Sequence, residues 1–97
     1  MIERHVTFNV IPGKEKDFEA LFKEAYSVAM SKQPGFVSVT LLKEHEKEVV
    51  YQMVIRFESL ETAAAWRDSG EHQELSPRLK ALYRSSAVQV YRVVDST

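Results

Sequence analysis

The sequence predicts an α+β domain of the ferredoxin-like kind, a split βαβ arrangement (βαββαβ) with a four-stranded antiparallel sheet. Three observations carry this expectation. Four segments alternate apolar and polar residues with the period of two that marks strands. Helical spacing and helix-capping residues fill the gaps between the first and second segments and between the third and fourth. Only a short polar run separates the second segment from the third, so these two form a hairpin between two crossovers. Right-handed crossovers then place the first and third strands in the middle of the sheet.

The first strand runs from Ile2 to Val10, with Ile2, Val6, Phe8 and Val10 on one side and Glu3, His5, Thr7 and Asn9 on the other. Pro12-Gly13 ends it, because proline cannot donate to a ladder and glycine tolerates turn dihedrals. From Glu15 a helical stripe begins: Phe18, Leu21, Phe22, Ala25 and Ala29 share one face. Glu15 and Asp17 in the first turn and Lys32 in the last suit the helix dipole, and Gln33-Pro34-Gly35 stops the helix. Phe36 to Lys43 forms the second strand, Glu44 to Glu48 the hairpin connection, and Val49 to Phe57 the third strand. Ser59 caps a helix from Leu60 to about Asp68, which carries Ala63, Ala64, Ala65 and Trp66. Ser69-Gly70 breaks it. Glu71 to Leu75 reads equally as a helical turn or a loop, and Ser76-Pro77 as the N-cap and first residue of a short helix reaching Tyr83. Ala87 to Val94 is a β-branched fourth strand.

Composition narrows the function. The 97 residues fit one domain, residues 1–97, and their 44% hydrophobic and 28% charged content is that of a globular chain. Thirteen Lys and Arg against fourteen Asp and Glu leave a formal charge of -1, so nothing points to nucleic acid or to an anionic membrane. No apolar run approaches the ~20 residues that span a bilayer, and Met1 to His5 lacks the apolar core of a signal peptide; the expected location is the cytoplasm. The absence of cysteine removes thiolate catalysis and disulfides.

Helices cover one face of such a sheet. The opposite face, with His5, Thr7, Asn9, Val50, Gln52 and Val54, is half apolar. On the fourth strand Val88 and Val90 take one side and Gln89, Tyr91 and Val93 the other. A mixed face of this kind is expected to pack against its copy in a twofold homodimer; a wet face with scattered valines is the plainer alternative.

Elimination reaches further. Gly13, Gly35 and Gly70 are isolated in turns, so no glycine-rich phosphate cradle exists and no nucleotide cofactor is expected. His5, His45 and His72 form no metal-binding spacing. Ser27, Ser31 and Ser38 lie inside elements, without the sharp elbow of a serine nucleophile. What is left is chemistry that a small hydrophobic or aromatic ligand does largely by itself in an apolar pocket. Trp66 reads as a core aromatic or as a pocket wall. His72, just past the Ser69-Gly70 break, reads as a solvated loop histidine or as an acid/base over the cleft between helices and sheet. Tyr26, Tyr51 and Tyr83 either line that cleft or sit on its rim.

These residues resemble a known family. Val10 to Glu19 looks like the first strand-to-helix junction of antibiotic biosynthesis monooxygenase domains, and Gln33 to Ser38 is similar to their helix-to-strand turn. Phe57 to Glu61, followed by Trp66, Ser69 and His72, resembles their W-x-x-S-x-x-H segment. The resemblance runs over nearly the whole chain in order and spacing. It implies a dimeric α/β barrel in which two sheets pack face to face, and oxygenation of anthrones, quinols or related polyphenols with no cofactor. A haem-degrading branch of the family uses an Asn on the first strand and an iron-ligating His about a turn beyond position 72; this chain has Val6 and Ser76 there. Monooxygenase members place a polar amide one turn before the Trp and a Tyr or His six residues after it, positions held here by Thr62 and His72. The resemblance therefore implies a site at Thr62, Trp66 and His72. The leading expectation is a monooxygenase in which His72, from its place beside the cleft, is the base, with Trp66, Tyr51 and Phe22 as walls and Thr62 beside the substrate. The rival expectation is a non-catalytic barrel module that binds a hydrophobic small molecule or serves in stress response.

Overall fold

The computed structural model describes residues 1–97. Strand β1 (Ile2–Val10) leads into a continuous helix, α1, built of an α-helical Glu15–Leu21, a π-helical Phe22–Tyr26 and an α-helical Ser27–Ser31. Strands β2 (Phe36–Lys43) and β3 (Val50–Phe57) follow, then helices α2 (Leu60–Asp68) and α3 (Gly70–Lys80), and finally strand β4 (Tyr83–Arg92). The sheet is antiparallel throughout in the order β2-β3-β1-β4, so the first and third strands are central as the crossover rule requires. All helices lie on one face, over a core of sixteen buried residues with no polar or charged member.

Helix α1 departs instructively from the simple stripe. The most buried residues along it are Phe18, Phe22, Tyr26 and Met30, spaced four apart, while Leu21, Ala25 and Ala29 are only partly buried. At about 100° per residue, a four-residue step in a regular α-helix drifts by roughly 40°, and three such steps would carry Met30 well off the face of Phe18. The π-helical turn at Phe22–Tyr26 is wider and absorbs that drift. It therefore brings Tyr26 onto the sheet side.

Two element starts differ from the sequence reading by more than one residue. Ser69 caps α3 through its hydroxyl, which accepts from the His72 N–H at 3.2 Å, so the helix starts at Gly70 and passes through Pro77 without restarting at Ser76. His72 accordingly lies in the first turn of a helix and not in a loop. Strand β4 begins at Tyr83 instead of Ala87, because its pairing with Val10, Asn9 and Phe8 extends it through Ser85 and Ser86. These polar residues hid the strand: β4 is an edge, and nearly every side chain on it is exposed. Val88 and Val90 pair with Val6 and Arg4, which puts them on the helix side of the sheet, yet the helices do not reach across and each is 48% exposed.

Gly35 holds the α1–β2 turn with φ of +79°, and a Cβ there would meet Thr62 Cβ at 2.5 Å. Left-handed backbone and overpacking act together, so Gly35→Ala should cost about 1–3 kcal/mol, read as a lowered urea midpoint at unchanged slope. An unshifted midpoint would show that Thr62 yields freely.

Candidate functional site

A cleft of about 190 Å³ lies between α2, α3 and the helix side of the sheet. Its floor is apolar, with Val6 and Phe8 from β1 and Met53, Ile55 and Phe57 from β3, and on the β4 side Ser86 and Val88 continue it. Trp66 and Arg67 come from α2, His72 and Ser76 from α3, Tyr26 from α1 and Arg4 from β1. The Ser59 cap of α2 and the Ser69 cap of α3 set where these side chains start: Ser59 Oγ accepts from Thr62 N–H at 3.1 Å, and the Ser59 N–H donates to Thr62 Oγ1 at 3.2 Å.

Three rings form one wall. The Trp66 and His72 centroids are 5.1 Å apart at 86°, and Tyr26 and Trp66 are 5.5 Å apart at 82°, both edge-to-face. Tyr26 and His72 close the triangle at 6.0 Å. Burial pushes the His72 imidazole below its ordinary value of 6.5, and the positive charges of Arg67 and then Arg4 push it the same way; the Arg67 backbone and Asp68 offset this in part. At neutral pH the ring is uncharged and able to accept a proton. Burial raises the Tyr26 phenol to about 12, so it stays a donor. Arg4 loses some basicity, first to burial and then to the charge of Arg67, and remains a cation. The arrangement can take a proton from a weak acid and hold the resulting negative charge in an apolar slot.

The family model for the antibiotic biosynthesis monooxygenases matches residues 1–78. The chain belongs to the antibiotic biosynthesis monooxygenase family. Among solved structures it is similar to SnoaB of Streptomyces nogalater, a cofactor-independent oxygenase, with 22% identity, 98% of this chain and 94% of that chain covered, and a TM-score of 0.89. A Bordetella bronchiseptica protein of the antibiotic biosynthesis monooxygenase type is 24% identical over 96% of each chain, with a TM-score of 0.84. A conserved protein from Methanosarcina mazei is 20% identical, covers 94% of this chain and 90% of that chain, and has a TM-score of 0.85. At these identities the likeness shows a shared fold. No curated protein matches the sequence.

Of the residues singled out from the sequence, Trp66 and His72 line the cleft together. Tyr51, Phe22 and Thr62 do not. Tyr51 and Phe22 border a separate surface depression with Glu19 and Lys43, where the Tyr51 hydroxyl donates to the Glu19 carboxylate. Burial first, and then that bond, raise the Tyr51 phenol above its usual range. Thr62 is spent on the α2 cap and on packing against Gly35. The cleft takes no side chain from β2 and opens toward Ser86 and Val88 of β4, whereas Phe22 and Tyr51 share their depression with Leu41 and Lys43 of β2. Tyr26 and Tyr83, left open between cleft and rim, both line it. Sequence reasoning missed Arg4 and Arg67. For Arg4 a signal existed, since it shares the parity of Ile2 and Val6 on β1, a charged residue at a core-facing position. No helix of the chain is long and apolar enough to cross a membrane.

Proposed function

We propose that the chain is a cofactor-independent monooxygenase of an electron-rich aromatic, of quinol or anthrone type. The observation that supports it is an uncharged His72 imidazole beside Trp66 at the mouth of a mainly apolar cleft, in a chain of this family. His72 takes the acidic proton of the substrate, leaving an electron-rich anion. That anion passes one electron to O₂, and the resulting substrate radical and superoxide combine through a new C–O bond to a peroxide. Loss of water turns the peroxide-bearing CH into C=O, so one oxygen atom enters the product and the other leaves as water. For an anthrone the four electrons that reduce O₂ all come from the CH₂ carbon that becomes C=O; for a quinol two come from the ring CH that gains the oxygen and two from the oxidation of quinol to quinone. No outside reductant is required, and the proton that His72 took goes back to the peroxide before water leaves. The protein contributes position, a base and exclusion of water. An oxygen-electrode panel of quinols and anthrones tests this, with ¹⁸O₂ labelling of the product. The expected result is uptake above the uncatalysed rate and one labelled atom per product; no uptake above buffer with any of them would sink the reading.

The same reading includes a homodimer through the open sheet face. That face presents Val50 and Val54 from β3, Leu42 from β2 and Tyr91 from β4, around the Arg56–Glu3 ion pair at 2.6 Å. Val54 lies near its centre, opposite both His5 and Thr40. Sedimentation of the wild type should give twice the chain mass. Val54→Asp, which puts an unpaired carboxylate into that seam, should give the monomer. A wild type that sediments as a monomer at micromolar concentration contradicts the dimer.

A further inference from the structure

The electrostatics of the cleft are one-sided. Arg4 and Arg67 line it, and no Asp or Glu does, although the chain as a whole carries a net charge of -1. Every ion pair in the molecule lies elsewhere: Glu3 holds Arg56 and His5, and Glu19 holds Lys43. Neither guanidinium of the cleft has a side-chain hydrogen-bond partner. Arg4 is half-buried on a central strand between buried Ile2 and Val6, with Ile55 and Val90 as its cross-strand neighbours. A cation taken partly out of water beside a second cation is unfavourable unless an anion meets it. The fold supplies that anion for Arg56 on the opposite face and supplies none here.

We propose that the cleft selects an aromatic ligand bearing an oxyanion, with Arg4 as the specificity-determining residue that meets the negative charge and Arg67 in support. The planar fork of a guanidinium matches two oxygens or one oxygen with a bridging water, and the apolar floor takes the ring. The oxyanion is a ring carboxylate or an ionised phenol, which share this chemistry. The inference deepens the oxygenase reading by naming the substrate class, and it rests on that reading only for the location of the site.

Trp66 is the only tryptophan, so its emission reports on this cleft alone. Fluorescence and calorimetric titrations compare two matched pairs: 1-naphthoate with 1-naphthalenemethanol, and 2,4-dinitrophenolate with 2,4-dinitroanisole. The wild type should bind at least one anion about 10-fold or more tightly than its neutral partner, the range of a charge-assisted hydrogen bond. Arg4→Gln should lower anion affinity far more than neutral affinity and so abolish that preference, and Arg4→Lys should restore part of it. A preference confined to one pair identifies the oxyanion and supports the proposal. Equal binding of anion and neutral partner, a preference that survives in Arg4→Gln, or no binding of any probe overturns it. A thermal midpoint no lower than that of the wild type guards against a misfolded Arg4→Gln. A cleft that selects anions while the oxygen electrode reads nothing would overturn the oxygenase reading and leave this one standing.

Discussion

Replacing His72 by alanine lowers oxygen uptake with a reacting quinol by about 100-fold or more, the scale of losing a positioned base. The pH profile checks the same role without a mutation. The imidazole must be neutral to accept the proton, and its surroundings push it below 6.5, so wild-type uptake rises with pH along a limb centred below that value. Stability follows the same sign. A group whose folded value is depressed contributes stability that is present above 6.5 and is lost as the pH falls toward the folded value. In His72→Ala the change across that window disappears. A second loss below 4.5 remains, because Glu3 is held down by His5 and Arg56 on the open face. Uptake unchanged in His72→Ala, or a limb centred above 6.5, removes His72 from the chemistry.

Trp66→Ala should be among the most destabilising single changes in the chain, at about 3–5 kcal/mol. The side chain is 3% exposed and braces Tyr26 and His72 edge-to-face, so truncation opens a cavity and releases both rings. Trp66→Phe keeps most of the packing and should retain a folded protein. Two roles meet in this residue: its burial makes it core, and its edge makes it a wall of the cleft. Urea unfolding of both variants, read beside oxygen uptake in Trp66→Phe, separates them. A midpoint in Trp66→Ala within error of the wild type contradicts the core role. Undiminished uptake in Trp66→Phe contradicts the indole as a needed wall.

Much of the fold is legible in local pattern. The alternation of β1 and β3, the Ser59 cap and the Gly35 turn each depend on neighbouring residues alone, and the order of elements follows from them. The α3 start was harder to read: Ser76-Pro77 mimics a helix beginning, but Ser69 had already capped the helix, and one proline did not end it. The sequence pattern misses the first residues of β4, because an edge strand carries polar residues on both faces and loses its alternation. Trp66 and His72 could be paired from sequence because they sit close along the chain, on consecutive helices.

The remaining site residues come from distant positions. Tyr26 reaches the cleft only because the π-helical turn rotates it there, and Arg4 only because β1 is central and its even-numbered residues face the helices. Phe22 and Tyr51 are as apolar and as aromatic as a pocket wall requires, yet they fall on the β2 side of the core. Periodicity and capping are properties of short stretches, and they assign the elements and their order, while short motifs such as Trp66, Ser69 and His72 carry the family resemblance. Which side chains share a cleft depends on strand register, helix winding and the edge left uncovered. Those are settled only when distant segments pack, so only the tertiary structure placed two unpaired arginines beside a neutral histidine.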